Sequence, residues 1–196
     1  MMVKICGITN LDDALAAAEA GASALGFNFY PDSPRYLAPE AARAVIDALP
    51  AGVLKVGVFV NAPAAMLAAL AGALALDVVQ LHGASPEFPR GLRIWRAVRA
   101  AEDLDFAGLG SIPAEALLLD TPSETLQGGT GRSFDWSIAR RAPQRVILAG
   151  GLDETNVRRA IEAARPWGVD ACSRLESAPG RKDHARMRRF IEAALA

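Results

Sequence analysis

The sequence predicts an α/β protein, a single-domain (β/α)8 barrel of the TIM type over residues 1–196, with shortened helices after strands 4 and 5. Three observations carry this. Short runs rich in Val, Ile and Leu alternate with alanine-rich amphipathic stretches, and strands alternating with helices pair in parallel because the return needs a crossover. Eight such runs occur, the number that closes a barrel. A length of 196 residues suits one hydrophobic core, but it is short for eight full units, which typically take about 250 residues. An open doubly wound sheet is the competing topology. A dinucleotide-binding version of it is weakened because no GxGxxG turn follows the first apolar run.

In order, the first strand is residues 3–6 and the first helix 11–20; strand 24–29 and helix 39–49 follow, then strand 54–60 and helix 64–74. Strand 77–81 is followed only by 84–90, which carries two prolines, and strand 93–98 only by 99–113, rich in Gly and Asp, so helices 4 and 5 are the trimmed ones. Strand 116–119 precedes a glycine-bearing connection at 121–134 that reads as a lid. Helix 135–141, strand 145–149, helix 154–164, strand 169–172 and helix 183–195 complete the chain.

Composition narrows the function. The chain is 52% hydrophobic and 22% charged, which excludes intrinsic disorder. Its 21 basic and 22 acidic residues nearly cancel, so no global field collects nucleic acid or anionic lipid, and any anion must be bound locally. The alanine-rich run 62–76 contains Pro63 and falls short of the roughly 20 apolar residues that cross a bilayer. No secretory signal opens the sequence, and Cys6 and Cys172 are too few for a disulfide framework, so a cytoplasmic location is expected. The two cysteines and two histidines have no metal-ligand spacing, and no metal is expected.

In a barrel the active site lies at the carboxyl ends of the strands. Those positions hold Cys6, the 28–36 loop, Asn61, His82, Arg99, Asp120, Gly150, Gly151 and residues 170–173. Side chains on a strand alternate, so Lys4 shares the face of Cys6; pointing inward it needs a carboxylate partner, and its charge lowers the thiol pKa. Asp120 ends an apolar strand, where desolvation raises a carboxyl pKa and suits it to acid catalysis. Gly150 and Gly151 expose backbone amides. Ser173 and Glu176 stand at capping-box spacing, which suggests a short helix whose N-terminus meets an anion; together these form a phosphate cup. Arg35 sits in a proline-stiffened loop, placed to clamp a carboxylate at two points. His82 lies at a strand end, whereas His184 on the last helix is expected to face water.

Taken in order, the strings Lys4-Ile5-Cys6-Gly7-Ile8-Thr9, Ser33-Pro34-Arg35-Tyr36, Gln80-Leu81-His82-Gly83, Leu119-Asp120-Thr121, Gly128-Gly129-Thr130-Gly131 and Ala149-Gly150-Gly151-Leu152 resemble the phosphoribosylanthranilate isomerases of tryptophan biosynthesis over almost the whole chain. The resemblance implies a cofactor-free Amadori rearrangement of N-(5-phosphoribosyl)anthranilate, with Asp120 as general acid and Cys6 as general base. It implies that Arg35 holds the anthranilate carboxylate and that the Gly151 and Ser173 regions hold the phosphate. His82, Gly150, Asp170 and Arg174 are further candidate substrate contacts. One departure stands out: where the family usually carries Ser-Ser-Gly, this chain has Cys172-Ser173-Arg174, so an arginine replaces the glycine at the phosphate cup and is expected to add a charged contact. The expected partner is a small phosphorylated substrate, and the chain is expected to be a monomer or homodimer. Competing readings are another phosphosugar isomerase, a lysine-dependent synthase, disfavoured because the only lysines are Lys4, Lys55 and Lys182, and a non-catalytic phosphometabolite-binding barrel.

Overall fold

The computed structural model of the protein describes residues 1–84, 90–101, 104–120 and 135–196. Eight parallel strands close in sequence order: β1 Met2–Cys6, β2 Ala24–Asn28, β3 Leu54–Val60, β4 Val78–His82, β5 Ile94–Arg99, β6 Ala116–Asp120, β7 Arg145–Ala149 and β8 Gly168–Ala171. The seam pairs β1 with β8 and sets Lys4 opposite Asp170 and Ile5 opposite Ala171.

The strands are nearly continuous apolar runs because both faces are covered, the outer by helices and the inner by the barrel itself. Along β6, Leu117 and Leu119 join the layer shared with the helices, while Ala116 and Leu118 face inward with Met2, Val56, Trp95 and Ile147. Each leucine so buried contributes roughly 1.5–3 kcal/mol. The inner apolar cluster gives way, one alternation further along β1, to Lys4 and then Cys6, which places the site at the carboxyl end.

The outer helices are α1 Leu11–Glu19, α2 Pro39–Asp47, α3 Ala64–Ala73, α4 Phe106–Leu109, α5 Val157–Ala164 and α6 His184–Leu195. Their ends have local causes. Asn10 caps α1 by accepting from the Asp13 amide, Pro39 starts α2 where its missing N–H is no loss, and Arg165 stops α5 in a left-handed conformation at φ 49°. α4 is a single turn, as the trimmed fifth unit requires; residues 85–89 of the connection after β4, and the whole predicted lid at 121–134, lie outside the described residues.

Two details differ from the sequence expectation and a third adds to it. Residues Trp136–Arg141 form a 3-10 helix rather than an α-helix, with Asp135 capping it through the Ser137 amide. A small hairpin, β9 Glu176–Ala178 with β10 Arg181–Lys182, follows β8. His184 is exposed, as expected, and its Nε2 also lies 2.8 Å from Asp13 Oδ1, while Asp13 Oδ2 accepts from the Lys182 amide at 2.9 Å. The buried Asp13 carboxylate therefore ties α1 to the start of α6.

Candidate active site

The strand ends enclose a cavity of about 360 Å³. All the candidate residues read from the sequence, Cys6, Arg35, His82, Asp120, Gly150, Gly151, Asp170, Ser173 and Arg174, line it. Of the wider set of strand-end residues, Asn61 and Arg99 do not; Asn61 Oδ1 accepts from the Ala84 amide at 2.7 Å and braces the loop after β4.

Lys4 is wholly buried, and its Nζ donates to Asp170 Oδ1 at 3.0 Å. That contact supplies the carboxylate partner an inward lysine requires. Burial opposes the ammonium charge, but Asp170 and Cys6 outweigh it and hold Lys4 protonated. Burial pushes the Asp170 carboxyl up to about 7 against the pull of Lys4. Gly26 on β2 leaves room for this group, because a Cβ there would lie 2.8 Å from Cys6 Sγ and 3.0 Å from Lys4 Nζ.

The Cys6 thiol is held well below its ordinary range, first by a hydrogen bond from Cys172 and then, against burial, by the charge of Lys4. Cys172 is pushed well above its range by the same contact and by burial. The charge of Lys4 thus favours the thiolate on Cys6 and leaves the proton with Cys172. Facing them from the end of β6, Asp120 has its carboxyl pushed upward by desolvation at the cavity mouth and by Cys6, while Arg99 pulls it back; its exposed rim position keeps that push partial. His82 is driven toward the neutral form by burial and by Lys4 and Arg96. Its Nε2 lies 2.8 Å from Gln80 Nε2, and with the amide so oriented Gln80 donates and the ring proton sits on Nδ1.

The anion-facing groups lie at both ends of the cavity. Gly150 and Gly151 adopt φ of 90° and 62°, a conformation that side chains resist, and the buried Asn156 pins the turn by donating to the Gly151 carbonyl at 3.0 Å. Ser173 opens a 3-10 helix, Ser173–Leu175, so the amides predicted there are present. The capping box is not. Glu176 turns away from Ser173 and takes the Arg35 guanidinium at two points, 2.8 Å from Nε and 2.6 Å from Nη2. It also accepts from Lys182 Nζ at 3.1 Å. Burial works against the Glu176 charge, but Arg35 and Lys182 hold its carboxyl below the usual range. Arg35 does clamp a carboxylate, an internal one, which orients the Nη1–Nη2 edge of its guanidinium.

The sequence reading gave no site role to Gln80 or Lys182, and gave Glu176 only that of a helix cap. Gln80 had a findable signal, since it lies two residues before His82 on a strand and therefore on the same inward face. Its Oε1 is buried with no partner among the described residues. Glu176 gave no sign of Arg35, a partner 141 positions away, and Lys182 meets Glu176 and Cys172 only because the β9–β10 hairpin folds back on itself.

A (β/α)8 barrel whose strand ends gather a cysteine, an aspartate, a histidine and groups suited to anions around one cavity has the architecture of an enzyme of that fold. Comparison with known proteins narrows the class. The family model described as N-(5'-phosphoribosyl)anthranilate (PRA) isomerase matches residues 3–193, and the chain belongs to this family. An N-(5'-phosphoribosyl)anthranilate isomerase of Solibacter usitatus is 52% identical over 100% of this chain and 98% of that protein. The crystal structure of phosphoribosyl anthranilate isomerase from Thermotoga maritima superposes with a TM-score of 0.87 at 41% identity, covering 100% of this chain and 98% of that one. A phosphoribosyl anthranilate isomerase in complex with reduced 1-(o-carboxyphenylamino)-1-deoxyribulose 5-phosphate gives 0.85 at 39% identity, with coverage of 100% and 98%.

Proposed function

We propose that this chain, as one barrel domain over residues 1–196, catalyses the Amadori rearrangement of N-(5'-phosphoribosyl)anthranilate in tryptophan biosynthesis, with Asp120 as general acid and Cys6 as general base. The observation that carries the assignment is placement: one cavity sets Cys6, beside the buried Lys4–Asp170 pair, and Asp120 on its wall, and these surroundings push the thiol toward thiolate and the carboxyl toward the acid, which is how an enzyme divides acid and base roles near neutral pH. Asp120 protonates the furanose ring oxygen, the C1'–O bond breaks, and the aniline nitrogen's lone pair forms the protonated Schiff base. The Cys6 thiolate then takes the C2' proton, the electron pair of that bond shifts into the C2'–C1' position, and the resulting enolamine tautomerises to the ketone.

The supporting groups follow from charge. Arg35 meets the anthranilate carboxylate with its outer edge, the Glu176 clamp fixing the guanidinium plane. Gly150, Gly151, Ser173 and Arg174 take the phosphate. His82, neutral and with a proton on Nδ1, serves as a hydrogen-bonding wall of the sugar site, and Asp170 acts by holding Lys4 beneath the thiolate. None of the helices among the described residues is long and apolar enough to cross a membrane. A small anionic substrate and two free thiols fit work in the cytoplasm.

The test follows loss of the fluorescent substrate in Cys6→Ser and Asp120→Asn. Each positioned proton-transfer group is worth about 10²–10⁴-fold, so kcat is expected to fall by at least a hundredfold in either variant. Rates within threefold of the parent in both would overturn the assignment.

A further inference from the structure

We propose that Cys6 and Cys172 form a redox-modification site: a peroxide converts them to a disulfide across the β1–β8 seam, which removes the proposed base and reversibly turns the enzyme off. The site is defined by strand geometry. Lys4 and Asp170 are opposite each other in register and touch at 3.0 Å. Cys6 ends β1 two residues past Lys4, and Cys172, just beyond the end of β8, follows Asp170 by two, so both thiols sit above the ion pair at the carboxyl end of the seam, where their side chains hydrogen-bond. Adjacent strands are about 4.8 Å apart, within the roughly 4.4–6.8 Å between Cα atoms that a disulfide spans. The Cys172 sulfur does reach across the seam: a Cβ added at Gly7, the residue after Cys6, would lie only 2.9 Å from it. Lys182 steadies the Cys172 end, its Nζ lying 3.2 Å from the Cys172 carbonyl and 3.9 Å from Sγ. Both cysteines line the cavity, so a molecule as small as hydrogen peroxide reaches them by the substrate's route.

The two thiols divide the chemistry. The Cys6 thiolate displaces hydroxide from hydrogen peroxide, forming an S–O bond as the O–O bond breaks and leaving a sulfenic acid. The Cys172 sulfur then attacks the Cys6 sulfur; the S–S bond forms, the S–O bond breaks, and the departing hydroxide leaves as water with the Cys172 proton. The sulfurs together lose two electrons, and with a proton on the first hydroxide the peroxide becomes two waters. Cys172 is a poor nucleophile while it shares its proton with the Cys6 thiolate. Once Cys6 is a neutral sulfenic acid that hydrogen bond and charge are gone, and the positive charges of Lys182 and Arg35 are opposed only by burial in lowering the Cys172 thiol.

The shut-off half of this inference rests on the reading of Cys6 as base, so the test measures bond and activity separately. The full chain is treated with hydrogen peroxide, alkylated, and digested without reductant for mass spectrometry, while activity is followed before and after dithiothreitol. The expected result is a cross-linked peptide joining Cys6 to Cys172, at least a tenfold loss of activity, and near-complete recovery with dithiothreitol. In Cys172→Ser, oxidation of Cys6 has no resolving thiol and runs on to the sulfinic acid, so each preparation, scored against its own untreated rate, is expected to lose that recovery. Absence of the cross-linked peptide, or equal recovery in parent and variant, overturns the proposal and leaves the base assignment standing. A quantitative cross-link with activity intact overturns the switch and the base assignment together.

Discussion

Replacing Lys4 with methionine tests the electrostatic foundation of the site. Methionine fills the lysine's apolar stem without its charge, so the change leaves Asp170 buried without the ammonium 3.0 Å away. Removing one partner of a buried ion pair costs about 3–5 kcal/mol. The lower end, about 3 kcal/mol, is expected near neutral pH because Asp170 takes up a proton instead of standing as a naked charge. The pH dependence carries a sharper signature. A carboxyl whose folded pKa is raised contributes stability below its unfolded value and loses it as pH climbs to the folded one. In the parent, Asp170 completes that loss at about 7. In the variant its pKa stands higher, so above neutrality the variant continues to lose about 1.4 kcal/mol per pH unit relative to the parent. Urea midpoints measured between pH 6 and 9 read this directly, and the thiolate absorbance of Cys6, titrated in parallel, is expected to move to higher pH. A variant as stable as the parent across that range, with the Cys6 titration unmoved, would refute the reasoning.

Other perturbations reach separate parts of the site. Arg99 pulls the Asp120 carboxyl down, so Arg99→Leu raises it further; the acid stays protonated to higher pH, and the alkaline limb of kcat/KM is expected to move up, by less at high salt, whereas an unmoved limb would remove Arg99 from the electrostatics of the acid. Gly7→Ala forces a side chain onto a backbone at φ 72°, at a cost of about 1–2 kcal/mol. Its Cβ would also press on Arg35 Cδ from 2.7 Å, so a Tm lower by roughly 3–8 °C should come with a raised KM. Arg174→Gly removes a charge from the phosphate end; with about 1 kcal/mol for a solvated charged contact, KM for the phosphorylated substrate is expected to rise about fivefold with kcat unchanged, and an unchanged KM would strike Arg174 from the ligand set.

The eight strands were legible because a barrel strand, covered on both faces, is written as an unbroken apolar run, as Leu117, Leu118 and Leu119 illustrate. The site was legible for a related reason: once strands are located, the barrel dictates that the residues past their carboxyl ends converge, and Cys6, His82 and Asp120 do. What sequence could not provide were partnerships chosen in three dimensions. Ser173 and Glu176 have the spacing of a capping box, yet Glu176 answers to Arg35 and Lys182, whose two positive charges outbid one backbone amide. Cys6 and Cys172 looked unrelated along the chain, and only closure of the barrel makes them neighbours. His184 is the solvated helix residue expected, but only the fold brings Asp13 on α1 within reach of its ring. Residues Trp136–Arg141 carry a helical pattern too brief to propagate, and the tighter 3-10 turn results.

The Lys4–Asp170 contact joins residues 166 positions apart, the first strand of the barrel to the last. Such a contact carries a heavy loop-closure cost and forms late, after nearer strands have zipped together. Both halves of the charged floor beneath Cys6 are therefore absent from any partly assembled barrel. A folding intermediate lacking β8 would expose a lysine and an ordinary thiol, with no activated sulfur to react indiscriminately. Catalytic competence would appear in refolding as the final kinetic phase, arriving with ring closure.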